Sequence, residues 1–141
     1  MEPSAPPPPW ERMIADLGDA LIFIDRSGCI RAWNAAAAAL FGFSAAQALG
    51  QSVDLIIPPH LRQAHWRSFE RAMQQGHTSR ASAEVRTTRG LHRDEARKLY
   101  VDMSFAVVTD DQGQVLGSVA MARDATERYL AERAQRAAPP A

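Results

Sequence analysis

The sequence predicts an α+β domain in which five antiparallel strands form one sheet and short helices cover one of its faces. Three observations lead to this prediction: a hairpin pattern near the start, several short helical segments in the middle, and three extended segments after residue 76. Strands and amphipathic helices in this order bury their apolar faces most simply as two packed layers. The 141 residues, 46% of them hydrophobic, suffice for one such core.

The start of the chain predicts a helix followed by a hairpin. Residues 1–9 are rich in proline and are predicted to be a disordered lead. Residues 10–17 carry apolar side chains at helical spacing, which predicts a short amphipathic helix whose apolar stripe needs a partner. Residues 20–24 and 29–33 are β-rich runs on either side of a glycine-containing turn, so together they predict a β-hairpin.

Short helices are expected after the hairpin, because capping residues recur there. Asn34 is a good N-cap in front of an alanine-rich run, which Gly42 ends. Ser44, followed three residues later by glutamine, is a capping box that begins a second helix. Residues 52–56 predict one further helical turn before the longest helix of the chain.

The longest predicted helix begins at Pro58 and ends at Gly76, since proline suits the first turn and glycine the residue after the last. A helical projection predicts that His65 lies near the middle of an apolar face. The apolar residues of that face are Leu61, Ala64, Phe69, Ala72 and Met73. A titratable imidazole is therefore expected to point into the contact between this helix and its neighbours.

The remainder of the chain predicts three strands and a final helix. The strands are expected at residues 80–91, 98–109 and 114–123. Turn residues at 93–96 and 110–113 separate them. Asp124 begins a further capping box. The predicted organisation is thus one domain at 10–125, followed at 126–141 by a C-terminal linker helix and tail.

Composition argues against several classes of protein. The 16 acidic and 16 basic side chains balance, so no net charge attracts the chain to nucleic acid or to an anionic membrane. A single cysteine, Cys29, cannot form an internal disulfide and is typical of a reducing compartment. Residues 1–9 lack the pattern of a secretion leader, and no apolar run has the roughly 20 residues of a membrane span. A cytoplasmic location is therefore expected.

Three short motifs follow one another along the chain: the hairpin IDRSGCIRAWN, the turn FGFS, and the sequence RDAT at residues 123–126. In this order they resemble the PAS sensory family. Asp25, Gly28 and Asn34 lie where PAS hairpins carry such residues, and RDAT is similar to the signature that ends the PAS sheet. The resemblance covers about residues 10–130 and implies the PAS fold, with flanking helices at both ends.

The resemblance implies a sensory module and not an enzyme. PAS domains receive a signal between sheet and helices, or by dimerisation, and pass it on through flanking helices. The chain is therefore expected to form a homodimer and to act on a separate kinase or transcription regulator, without contacting nucleic acid or membrane itself. The sequence contains neither a nucleophile elbow nor a phosphate-binding glycine loop, the motifs that would argue for catalysis.

Haem is one ligand that a similarity to haem-binding PAS oxygen sensors implies. His65 coincides with the axial histidine of those sensors, and Arg71 and Arg86 coincide with arginines near the haem edge. The pocket wall would also include Phe69, Met103 and Phe105. An imidazole on an apolar face suits haem iron, which makes His65 the candidate iron ligand.

Other interpretations stay open beside haem. Histidine also occurs at this position of PAS domains as an ordinary packed residue. The pocket then holds another small ligand or none. A domain without a ligand would serve as a scaffold for protein partners. Glu95 stands where haem sensors carry a glycine, which departs from their pattern. Non-covalent flavin, stacked on Trp33, is a further alternative, although residues 50–57 lack the cysteine of flavin-adduct domains.

Overall fold

One five-stranded antiparallel sheet organises the computed structural model, which describes residues 4–78 and 84–139. The strands are β1 (Ala20–Asp25), β2 (Ile30–Trp33), β3 (Arg86–Leu91), β4 (Lys98–Thr109) and β5 (Val115–Asp124). Across the sheet they follow the order β2-β1-β5-β4-β3, so the first hairpin lies at one edge and β3 at the other. The predicted α+β class with five antiparallel strands is confirmed.

Helices connect and flank these strands. They are α1 (Trp10–Asp16), α2 (Ala35–Phe41), α3 (Ala45–Ala48), a 3₁₀ turn at Val53–Ile56, α4 (Pro59–Gln75) and α5 (Thr126–Ala137). Each lies in a segment where the sequence predicts helix. None of those in residues 4–78 and 84–139 is long and apolar enough to cross a membrane.

The strand predicted at residues 80–91 is shorter than expected. Its pairing with β4 begins at Arg86, opposite Met103, and Glu84 and Val85 precede the ladder as exposed, irregular residues. Residues 79–83 lie outside the described part of the chain, as do residues 1–3 of the predicted lead. The rest of that lead, residues 4–9, is exposed and irregular.

The core lies between the sheet and the helices on one of its faces. Alternate residues of the strands are buried there: Ala20, Ile22, Ile24, Leu99, Val101, Ala120 and Ala122. Trp33 also belongs to this core; its Nε1 donates to the Phe43 carbonyl oxygen at 2.9 Å, and its ring packs on Phe41. The indole considered for flavin stacking is thus packed against core residues.

Asn34 joins four segments through its side chain. Its Oδ1 accepts hydrogen bonds from the backbone N–H of Leu21 at 2.9 Å and of Ala37 at 3.0 Å. Its Nδ2 donates to the carbonyl oxygens of Ile14 and Asp19, both at 3.0 Å. The predicted N-cap of α2 is therefore confirmed, and the same amide also ties α1 and the start of β1 to that cap.

The other helix ends follow local chemistry. Ser44 and Gln47 form both bonds of the predicted capping box, and Gly42 and Gly76 end α2 and α4 in the left-handed conformation that favours glycine. The capping box predicted at Asp124 differs, because the N-cap of α5 is Ala125. The Asp124 carboxylate instead accepts a hydrogen bond from the first helical N–H at 2.9 Å.

Replacing Asn34 with alanine should destabilise the domain strongly, because it removes four hydrogen bonds. Loss of a cap together with unsatisfied buried backbone groups should lower the free energy of unfolding by roughly 2–4 kcal/mol. Urea denaturation followed by circular dichroism measures the loss. The matched control, Ser44→Ala, removes an exposed cap and should cost about 1 kcal/mol. Equal losses of unfolding free energy for the two variants would show that the additional hydrogen bonds of the Asn34 amide do not stabilise the domain.

Candidate functional site

The candidate site is the region where α4 packs on the core-facing side of the sheet. On α4, Phe69 and Met73 are buried and His65 is half-buried, as the apolar face predicts. Ala64 is exposed, so its assignment to that face is wrong. At about 100° per residue, Ala64 and Trp66 lie on opposite sides of His65. The helix turns its Trp66 side towards the domain, which leaves Ala64 in solvent.

His65 sits in an aromatic environment on α4. Its ring stacks on Phe69 at 6.1 Å between centroids and meets the edge of Trp66 at 5.1 Å. The Nδ1 atom is buried and has no hydrogen-bond partner among residues 4–78 and 84–139. Burial lowers the pKa of His65, and the Asp54 carboxylate opposes this only in part. The neutral imidazole is therefore the favoured form.

Trp66 connects α4 to the first hairpin. Its Nε1 donates to Oδ1 of Asp54 in the 3₁₀ turn at 2.9 Å, and its ring lies directly against the turn glycine, Gly28. A Cβ atom on Gly28 would overlap the indole, and the φ of +82° there also favours glycine. Trp66 therefore fixes the position of α4 while its ring also contacts His65.

The sheet brings some of the predicted site residues together. Register places Arg86 opposite Met103, which is half-buried. Phe105 lies two residues further along the same face of β4 and pairs with Ala120, a core residue, yet it is 38% exposed. The core-facing side of the sheet is therefore open to solvent near Phe105. Arg71, in contrast, is exposed on α4 and has no place in this group.

The arrangement does not fit a haem site. A metal-bound imidazole normally donates its second ring N–H to an acceptor, but no described residue accepts from Nδ1 of His65. Arg71 and Arg86, expected near the haem edge, are both exposed. The geometry favours a packed, neutral histidine, and haem ligation by His65 stays a prediction.

A second set of polar contacts anchors the exit helix, α5. Arg123 at the end of β5 forms a double ion pair with Asp19, at 2.9 and 3.2 Å. Thr126 Oγ1 accepts from the Tyr100 backbone N–H at 2.9 Å. Arg128 forms an ion pair with Asp102 on β4, in which the shorter N···O distance is 2.6 Å. The RDAT motif therefore marks a junction that connects the start of β1, the sheet and α5.

Three members of this junction carried no sequence signal. Asp19, Asp102 and Arg128 stand far from their partners in the sequence, and only the pairing of β1, β4 and β5 brings them together. The Arg128 guanidinium, followed by the Thr87 hydroxyl, holds the pKa of Asp102 below its usual range. Asp102 is thus a carboxylate at neutral pH. Its side chain is partly exposed, so solvent screening weakens the pair.

The family model described as the PAS fold matches residues 10–125. The chain belongs to the PAS family. PAS domains are in general sensory or regulatory modules. No curated protein matches the sequence. Within the described residues, no group of three or more histidine, cysteine, aspartate or glutamate side chains is placed to hold a metal ion.

Solved PAS structures resemble this domain over most of its length. A PAS domain from Colwellia psychrerythraea is 24% identical, with a TM-score of 0.72, over 84% of this chain and 96% of that one. The PAS domain of a LuxR-family transcriptional regulator from Burkholderia thailandensis, in complex with ethanol, is 13% identical (TM-score 0.62), over 82% and 96% of the two chains. The VqmA dimer of Vibrio cholerae is 16% identical (TM-score 0.66), over 90% and 56%. At these identities the likeness shows the shared fold.

Substituting Gly28 tests the packing of the Trp66 ring on the hairpin turn. Gly28→Ala and Gly113→Ala place a side chain at nearly the same φ, +82° and +79°, but no atom lies within 4 Å of the Gly113 position. Gly113→Ala should cost about 1–2 kcal/mol from backbone strain alone. Gly28→Ala should cost clearly more in the same thermal or urea denaturation.

The additional loss should disappear when Gly28→Ala is made in a Trp66→Ala background, because the overlapping ring is then absent. If the two glycine variants lose the same stability in the wild-type background, the indole does not lock the hairpin.

Acidification should destabilise the domain through His65. Its folded pKa lies below the ordinary value of 6.5, so the unfolded chain binds the proton more readily. The contribution is fully present above about pH 6.5 and is lost as the pH falls towards the folded pKa. The free energy of unfolding of wild type should therefore fall more steeply between about pH 7 and pH 5 than that of His65→Gln.

The control for this measurement is His77→Gln, which removes an exposed imidazole from the end of the same segment. Parallel pH profiles for wild type and His65→Gln would show that the buried ring does not titrate differently in the folded state.

Proposed function

We propose that the chain is the sensory and dimerisation module of a signalling or transcription-regulating system. It receives a small ligand or a protein partner between α4 and the sheet, and it relays its state through α1 and α5 to a separate regulator. The observation that carries this proposal is the junction at residues 123–126. There Asp19, which lies between α1 and β1, pairs with Arg123 of β5, and Thr126 at the start of α5 accepts a hydrogen bond from Tyr100 of β4.

The surface of α1 supports a dimer. None of its residues is buried, although four apolar side chains lie at helical spacing in and just after it. These are Trp10 (62% exposed), Met13 (47%), Ile14 (37%) and Leu17 (39%). Large apolar side chains grouped on one helix are typical of a surface that a partner covers. We take a second copy of this chain as the occupant, consistent with the dimeric VqmA relative.

Access near Phe105 supports binding of a small molecule. That phenylalanine faces the core side of the sheet and is nevertheless 38% exposed, so a small molecule can contact it from solvent. The related Burkholderia thailandensis PAS domain was solved with ethanol, a small neutral molecule. The aromatic surroundings of His65 suit a ligand of this kind better than a large charged cofactor.

Native mass spectrometry of protein purified from cells tests the proposal, because it reads the oligomeric state and any bound molecule together. The expected result is a dimer carrying an additional small mass that collisional activation removes. A dimer with no added mass would favour the ligand-free scaffold, and a monomer at every concentration would refute the dimerisation module.

The variant Met13→Glu locates the dimer interface. Burying a methionine side chain is worth about 1.5–3 kcal/mol, so its loss should weaken dimerisation at least tenfold. Sedimentation equilibrium measures the change, and Arg12→Glu, on the polar side of α1, is the matched control. Unchanged dimerisation in Met13→Glu would place the interface elsewhere.

A further inference from the structure

A groove of about 330 Å³ lies at the β3 edge of the sheet, outside the space between α4 and the sheet. It is lined by His60, Leu61, Thr87, Thr88, Arg89, Tyr100 and Tyr129. These residues come from the first turn of α4, from β3 and β4, and from the exit helix α5. Its volume is within the range of sites that hold small molecules.

The charge of the groove is suited to an anion. Among the described residues its lining contains the guanidinium of Arg89 and the imidazole of His60 but no carboxylate. The Asp102 carboxylate beside Thr87 is already paired with Arg128. Arg89 lies over the Tyr100 ring, 5.6 Å from its centroid, and forms no ion pair with any residue that the structure describes. An arginine without an acidic partner can present its fork of N–H donors to a bound carboxylate.

The walls of the groove are suited to a ring. Tyr100 and Tyr129 stack at 4.1 Å between centroids, and Leu61 adds an aliphatic contact. Tyr100 is only 8% exposed, so its ring is a well-packed wall of the groove.

We propose that this groove binds a small aromatic carboxylate. The carboxylate lies on Arg89, and the ring lies against Leu61 and the stacked tyrosines. This site lies at the β3 edge of the sheet and includes neither His65 nor Phe105, although Leu61 belongs to the same face of α4 as His65.

Occupancy of the groove also bears on the exit helix, a step that rests on the relay through α5 proposed above. Tyr129 belongs to α5, and the Thr87 hydroxyl contacts both Arg128 and Asp102. A ligand that packs on Tyr129 beside this cluster stabilises α5 in its docked position. The ligand is thus an effector that restrains the output helix.

Isothermal titration calorimetry of the full chain with benzoate tests the site. Wild type should bind, and Arg89→Gln should bind at least tenfold more weakly, since a charge-assisted pair is lost. Arg71→Gln removes an equally exposed positive charge outside the groove and should bind like wild type. Benzyl alcohol, which has the ring without the charge, should not displace benzoate. No binding at benzoate concentrations on the order of 10 mM, or equal binding by Arg89→Gln, would overturn the site.

Two further measurements separate the parts of the proposal. Inorganic phosphate should compete poorly, and competition equal to that of benzoate would reduce the groove to a general anion site. Benzoate should slow hydrogen exchange of the α5 amides several-fold in wild type and leave it unchanged in Arg89→Gln. Binding without slower exchange would keep the site and refute its link to α5. Neither result depends on whether the chain dimerises.

Discussion

The amide of Asn34 is the interaction on which the arrangement of the first half depends. It is buried, and all four of its hydrogen-bonding positions are used within the protein. Such a fully satisfied amide is specific, because a slip of α1 or α2 would leave polar groups unpaired in the core. The hairpin, the cap of α2 and the end of α1 are therefore positioned by a single side chain, and the later elements pack against that frame.

Local chemistry explains why much of the fold can be predicted from the sequence. Ser44 with Gln47, Gly42 and Gly76 act on the residues beside them, so their effects are visible in a short window. The turn at residues 110–113 is of the same kind, since Asp110 accepts from backbone groups two and four residues later. These signals fix element boundaries well, and the motif order then selects the PAS arrangement.

The site was less predictable because its contacts join distant segments. Periodicity placed His65 on the inward side of α4, but it could not show that Trp66 would reach Gly28 and turn Ala64 outwards. Nor does any local pattern pair Arg128 with Asp102, 26 residues away. Both outcomes depend on how α4 and α5 settle on the sheet. A resemblance can suggest a ligand for such a pocket, but the side-chain packing decides whether the residues suit it.

The ion pair between Arg123 and Asp19 has a consequence for how the domain fits into longer polypeptides. Asp19 immediately precedes β1, Arg123 lies near the end of β5, and these strands are neighbours in the sheet. The backbone thus enters and leaves the domain at almost the same place. Such a unit can be inserted into another protein, or repeated in tandem, at a small cost in loop-closure entropy. The ion pair between Arg123 and Asp19 therefore also keeps the two ends of the domain close together, which suits its use as a module in longer chains.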